Sequence, residues 1–311
     1  MCSGNVTYGA CCADDFTAAS LGCDLLVHYG LEVFQGYVFI DFLPLNETSA
    51  PYALETSRNR HSCLIPIQSS DVKTLYIFVD IKIDLDHFID SVKVNFEIGT
   101  RLGFVSTIQF VPSLQEAKIK LNEAGYQIEL AQNQPLSPGE VLGCTAPDMG
   151  QVDGIIYLGD GRFHLEAAMI ANPAIQAYRY DPYDKQFTKE GYDHTLMKKN
   201  RHSQIEMAKS AQTFGIILST LGRQGNPKIM KNLVQLIEKQ EKDYMIILLS
   251  EIFPDKLRLF EGIDCFVQIA CPRLSIDWGM AFDKPLLTPY EAAVALQEVQ
   301  WQQDYPMDFY R

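Results

Sequence analysis

The chain has no run of 18 or more apolar residues, so no stretch of it reads as a bilayer-spanning helix. Basic residues are few, 26 Lys and Arg against 39 Asp and Glu. The resulting net charge of −13 and pI near 4.9 exclude the clustered cationic face that nucleic-acid phosphates require. An acidic surface suits solubility or a basic protein partner. No basic stretch followed by an apolar core stands at Met1-Cys-Ser-Gly-Asn-Val6, so the start does not read as a secretory leader, and the expected compartment is the cytoplasm. In that compartment the eight cysteines are expected to be thiols or metal ligands rather than disulfides.

Several local motifs are also missing. There is no Cys-x-x-Cys pair, no Cys-x3-Cys-x2-Cys triplet and no His-Glu-x-x-His among the six histidines, which leaves zinc hydrolase chemistry without support. Gly159-Asp-Gly-Arg162 and Leu221-Gly-Arg-Gln-Gly225 look like phosphate-cradling turns. Neither continues into Gly-Lys-Ser/Thr or a Gly-x-Gly-x-x-Gly fingerprint, so both read as tight turns that could line a pocket.

What is present is a repeat. A strand from Leu102 to Phe110 is followed by a helix with Leu114, Ala117, Leu121 and Ala124 on one face, a capping box from Ser113 to Glu116, a stop at Gly125 and a strand from Tyr126 to Leu130. The order returns as a strand from Phe214 to Leu221, Asn226-Pro227 as N-cap and first helical residue, a helix with Ile229, Leu233, Leu236 and Ile237, and a strand from Tyr244 to Leu249. Each is followed by a short apolar strand delivering a polar loop, at 153 to 166 and at 264 to 279, where Cys271 sits in a Pro-containing loop. Strands alternating with amphipathic helices predict an α/β fold with parallel sheets covered on both faces.

The unit is thus roughly 110 residues long. The spacing predicts three similar α/β domains, 1–100, 101–205 and 206–311, with a long helix around Tyr192 to Gln212 between the last two. The first domain carries only the second half of the unit, Val6 to Gly30, and is expected to be truncated. Residues 31–60 keep no sustained period and read as an insertion.

Cys11 (or Cys12) and Cys144 each lie in a glycine turn before the core strand of their unit, and Cys271 lies just after its own. All three fall at the C-terminal edge of a parallel sheet, where such folds place ligands. Three thiolates, one per unit, would leave one iron of a cubane cluster open. A cysteine is also commonly a small buried hydrophobe, and spacing alone leaves both readings standing. Cys2, Cys23, Cys63 and Cys265 are assigned to packing or surface. Gln109, Asp160, Arg162, His164, Arg223 and Glu251 are pocket candidates because they lie on loops at the inferred sheet edge, and each could equally be structural.

Longer motifs carry a resemblance. Tyr8-Gly-Ala-Cys-Cys-Ala-Asp-Asp15, Leu142-Gly-Cys-Thr145, Tyr157 to Glu166, Tyr178-Arg-Tyr-Asp-Pro182, Leu221 to Gly225, Ser250-Glu-Ile-Phe-Pro254, Ala270 to Asp277 and Pro306-Met-Asp-Phe-Tyr310 resemble the eukaryotic diphthamide synthase family, subunit-one branch. The resemblance covers nearly the whole chain outside 31–60. It implies three α/β domains around a 4Fe-4S cluster held by Cys11, Cys144 and Cys271, with S-adenosylmethionine binding at the open iron. It further implies radical transfer of the 3-amino-3-carboxypropyl group to a histidine of elongation factor 2, the first step of diphthamide formation. The implied partners are subunit two in a heterodimer, elongation factor 2 as protein substrate, and a small iron-containing electron donor protein. Two departures, the absent region before Val6 and the 30 residues between Gly30 and His61, keep open an inactive form that only binds subunit two or elongation factor 2. A zinc-stabilised structural protein using the same thiols is the third reading.

Overall fold

Leu102-Gly-Phe-Val-Ser106 and Phe214-Gly-Ile-Ile-Leu-Ser219 are apolar without alternation, the pattern of strands covered on both faces. Both become inner strands of parallel sheets. The structure, a computed structural model, describes residues 15–30, 72–78, 80–134, 136–220 and 225–307. The expected insertion at 31–60 lies outside them. No helix among the described residues is long and apolar enough to cross a membrane.

Helix α1 (Asp15–Ser20) precedes β1 (Leu25–Gly30), which pairs in parallel with β2 (Lys73–Phe78). Then come α2 (Leu85–Asn95), β3 (Arg101–Ser106), α3 (Val111–Glu123), β4 (Gln127–Glu129), β5 (Gly154–Leu158), α4 (Phe163–Ala171), β6 (Ala177–Asp181) and β7 (Gln186–Glu190). Helix α5 (His194–Lys209) leads to β8 (Thr213–Ser219), α6 (Pro227–Lys239), β9 (Asp243–Leu249), α7 (Pro254–Arg258), β10 (Cys265–Ile269), α8 (Pro272–Trp278), β11 (Leu286–Leu287) and α9 (Pro289–Ala295). The middle sheet runs β4-β3-β5-β6-β7 and the last β11-β10-β8-β9. Within them β4-β3-β5 and β9-β8-β10 have the same order and all-parallel sense, so the fold is mixed α/β with parallel sheets, as the alternation predicts.

The repeat reaches down to single hydrogen bonds. Asp153, just before β5, takes the Arg101 N–H on its carboxylate (2.9 Å) and gives its own N–H to the Arg101 carbonyl (2.8 Å). Asp264, just before β10, does the same with Thr213 (3.0 and 2.9 Å) and also accepts from the Gln212 N–H. A carboxylate so placed pins the register of the core strand against its neighbour.

Four local expectations are corrected. The strand expected to reach Phe110 stops at Ser106, and a 3-10 turn over Ile108–Phe110 leads into α3. Pro112, whose fixed φ suits a first helical turn, starts that helix early. Ser113 therefore lies inside the helix and the capping box does not form. The polar loop expected after Arg162 is helix α4, and Cys271 does not sit in a loop but caps helix α8, with Pro272 in its first turn. The antiparallel strand β7 was not anticipated. It returns along β6 through a turn in which Lys185 has φ of 57°.

Between α5 and the last sheet lies the most constrained group of the core. Arg201 and Glu291 are both 0% exposed and paired twice, Nε to Oε1 and Nη2 to Oε2, each at 2.7 Å. The guanidinium also donates to the carbonyls of Ser275 in α8 (2.6 Å) and Leu286 in β11 (2.9 Å). Glu291 accepts the Tyr305 hydroxyl (2.9 Å) and the Thr288 N–H (2.9 Å), the latter as part of the α9 capping box. Gly279 approaches so closely that a Cβ there would stand 2.2 Å from Arg201 Nη1.

The two backbone N–H bonds, Thr213 first and Gln212 second, hold the Asp264 carboxyl below the usual aspartate range. A lowered folded pKa contributes stability above the unfolded value near about 3.9, and that contribution is lost as pH falls through the folded pKa. The carboxylate is solvent-exposed, so screening limits the effect, and Asp264→Ala should destabilise the chain by no more than about 1 kcal/mol at neutral pH. In denaturant titrations the gap to the native chain should close towards about pH 2, where both states are protonated. A gap unchanged by pH would contradict the assignment.

Candidate metal centre

The first described cysteine of interest is carried by a loop that extends the C-terminal end of β3. Ser106 donates its N–H to Gly139 (2.8 Å) and accepts from the Val141 N–H (2.9 Å), which lays residues 139–141 beside the strand end. The chain then reverses between Leu142 and Thr145, whose backbones bond to one another (2.9 and 3.3 Å). Cys144 lies in this reversal, 5% exposed, with the Thr145 hydroxyl 3.8 Å from its sulfur. The downstream side is tied in two places. Ala146 donates to the Met307 carbonyl (3.0 Å), and Asn172, the C-cap of α4, bonds both Met149 N–H (2.8 Å) and the Pro147 carbonyl (3.0 Å).

The second cysteine leaves the other large sheet. Strand β10 is buried throughout, and two residues past its end Cys271 caps α8 with extended backbone, half-buried. Its carbonyl accepts the Leu274 N–H (3.0 Å) and the Gln268 side-chain amide (3.0 Å).

Phe163 joins the two segments. Gly143, the neighbour of Cys144, lies so close that a Cβ there would be 1.9 Å from the Phe163 ring. On Phe163 also lies the guanidinium of Arg273, 4.5 Å from the ring centroid, and Arg273 Nη1 donates to the Phe163 carbonyl (2.7 Å). Arg273 is two residues from Cys271, so the two cysteine-bearing turns approach a common side chain. Arg273 is only 2% exposed, and its charge is met by Glu166 (2.5 Å) and by both oxygens of Asp277 (3.0 and 2.9 Å). Burial pushes the Asp277 carboxyl upward against the pull of Arg273. Burial likewise pushes the nearby Tyr192 hydroxyl up to about 12.

The remaining expected site residues are spread around this junction. Gln109 is buried in the turn after β3, where its carbonyl accepts the Ile81 N–H (3.0 Å). Asp160 is half-buried after β5, and His164 is buried in the first turn of α4, edge-on to Phe163. Arg162 is exposed and acts as a strut, bonding the Gly191 carbonyl (2.8 Å), Glu190 (3.1 Å) and Glu166 (3.6 Å). Glu251 is half-buried and 3.8 Å from Lys256. Cys11 and Arg223 lie outside the described residues. Sequence reading missed Phe163, Glu166, Arg273 and Asp277 as a group. The spacing of Arg273 and Asp277, four apart, was the available signal, because on a helix it makes an ion pair.

Among the described residues no three His, Cys, Asp or Glu side chains are grouped to hold a metal. Two thiols at sheet ends, one buried in a chain reversal and one at the cap of α8, are soft donors that suit iron or an iron–sulfur centre better than a hard cation. Cys265, by contrast, is 0% exposed inside β10, and burial pushes its thiol far up, which leaves it a packing residue as expected.

Gly143→Ala should cost about 1–3 kcal/mol, because the new methyl displaces the Phe163 ring. In a double-mutant cycle with Phe163→Ala most of that cost should vanish, whereas additive losses would mean that the glycine does not face the ring.

Comparison with known proteins finds relatives along nearly the whole chain. The family model of diphthamide synthesis proteins matches residues 1–41 and 60–306, passing over 42–59 inside the stretch expected to be an insertion. Proteins named 2-(3-amino-3-carboxypropyl)histidine synthase subunit 1 are similar along the chain. That of Nematostella vectensis is 56% identical over 99% of this chain and 60% of its own length. That of Gallus gallus is 52% identical over 99% and 68%, and that of Homo sapiens 52% over 100% and 64%. The chain thus spans about three-fifths to two-thirds of the length of these relatives. Among solved structures, Dph2 from Pyrococcus horikoshii with a 4Fe-4S cluster superposes with a TM-score of 0.68 at 25% identity, over 98% of this chain and 79% of that one.

Proposed function

The chain belongs to the family of diphthamide synthesis proteins, and from that premise we propose that it is the cluster-bearing subunit of a 3-amino-3-carboxypropyl transferase. The observation that carries this reading is the meeting of the Cys144 and Cys271 turns on Phe163, in a fold whose archaeal relative holds a 4Fe-4S cluster. Cys11, Cys144 and Cys271 would each supply one thiolate, leaving one iron for S-adenosylmethionine. When bound, such a cluster supplies the electron that opens the Cγ–sulfur bond of S-adenosylmethionine. The 3-amino-3-carboxypropyl group would replace a ring hydrogen on a histidine of elongation factor 2, the adduct giving up a proton and one electron against the one supplied, with methylthioadenosine as the leaving product.

The chain's own residues provide geometry and exclusion of water. The buried Cys144 turn keeps its sulfur from solvent. Arg273, neutralised by Glu166 and Asp277, fixes α4 against α8, so the two thiols keep their spacing. Gln109, Asp160, His164, Arg223 and Glu251 are proposed to border S-adenosylmethionine. Arg162 is proposed there too, although its donors are engaged by Gly191 and Glu190.

The proposed working form is a cytoplasmic heterodimer with subunit two, fed by a small iron-containing electron donor. The units are 1–100, 101–205 and 206–311. Helix α2 packs on the core of the second unit through Phe88, Ile89 and Val92, so a boundary at 100 divides that core, whereas one before α2 would leave it whole.

Anaerobic reconstitution with a subunit-two partner tests the proposal. Iron and sulfide near about four each per chain are expected, with a reduced-cluster EPR signal that disappears in Cys144→Ala and in Cys271→Ala. A colourless chain holding zinc, or one that binds its partner but no iron, would replace the catalytic reading with a structural or purely binding one.

A further inference from the structure

Gln268 interrupts the otherwise apolar strand Cys265-Phe-Val-Gln-Ile269 and is 0% exposed. An amide buried in the middle of a parallel sheet gives up its water and needs a return for it. The two ends of this side chain fare differently. Oε1 has no partner among the described residues, whereas Nε2 donates both to the Cys271 carbonyl (3.0 Å) and to the Ser275 hydroxyl (3.0 Å). Both acceptors belong to the first turn of α8, the turn that Cys271 caps.

That turn is anchored from the opposite side as well. The Ser275 carbonyl accepts from Arg201 Nη1 (2.6 Å), so Ser275 is held at its backbone by the buried ion pair and at its hydroxyl by Gln268. The Cys271 side chain makes no capping bond to α8. The direction in which the residue leaves the strand is set through its carbonyl, by Leu274 and Gln268. A residue that only filled space here would be Leu, Val or Met, with no polar atom left unsatisfied.

We infer that Gln268 is a positioning residue for Cys271. It acts through the Cys271 peptide and the Ser275 hydroxyl without touching metal, and it fixes the angle at which the thiol meets the centre. The inference rests on the proposed cluster and specifies a residue that controls it.

The test uses the full chain with its partner subunit, reconstituted anaerobically. Gln268→Met keeps the length and apolar packing of the side chain and removes the donor. With an unfolding temperature close to native, it should shift the g-values of the reduced cluster and release iron to a chelator at least tenfold faster. Ser275→Ala, which spares the bond to the Cys271 carbonyl, should change both readouts in the same direction and by less. If Gln268→Met fails to fold, Ser275→Ala decides by itself: a shift in g-values supports the inference and native values overturn it. A folded Gln268→Met with native g-values and iron release within twofold of native would make Gln268 a core residue only. A native chain without any cluster would instead overturn the underlying reading, and this inference with it.

Discussion

The Arg201–Glu291 pair is the constraint on which the rest of the described structure depends. A guanidinium and a carboxylate with no exposure lose several kcal/mol each of hydration, and such a pair seldom adds net stability over a well-packed apolar one. What it gives is a single arrangement. The bonds from Arg201 and to Glu291 reach α5, α8, β11, α9 and the segment around Tyr305, elements that are far apart in sequence. Removing one partner leaves the other charge buried and unpaired, a cost of about 3–5 kcal/mol.

Both cysteine turns are tied to this pair, one directly and one through the Tyr305 segment. Through Ser275 it holds the start of α8, which Cys271 caps. Through Tyr305 it holds the segment whose Met307 carbonyl accepts the Ala146 N–H, two residues after Cys144. The ionic group around Arg273 then closes the other side, joining α4 to α8 across Phe163. Two turns from different sheets are thereby kept in fixed relation by buried charges together with apolar contacts, the Phe163 ring against Gly143 and Ala146 in one cluster with Ile276 and Met307. Chemistry that needs thiols at set angles gains from this specificity more than from extra stability.

The contrast between Cys265 and Cys271 shows how far position decides a thiol's environment. One points into the packed interior of β10, where ionisation is strongly opposed. The other, six residues on, has passed the strand end and sits half-buried at the sheet edge. The repeat made this legible in the sequence, because the strand-helix-strand order and the apolar runs at 102–106 and 214–219 are local patterns. Local pattern also misled: Pro272 read as part of a loop and instead begins a helix. Arg201 and Glu291 were silent for a different reason. Ninety residues apart, each reads as an ordinary surface charge on an amphipathic helix, and only the tertiary fold buries both. The Asp153 and Asp264 bonds were hidden too, since an acidic residue before a strand has no distinctive signature until its partner strand is placed.

Amide hydrogen exchange on the native chain and on Arg201→Met is the most direct test that one buried pair holds both cysteine turns. The account predicts that residues 142–146 and 271–275 lose protection together in the variant, while the β3–β5 ladder keeps its native protection. Protection retained in either turn, or lost in only one of them, would contradict it.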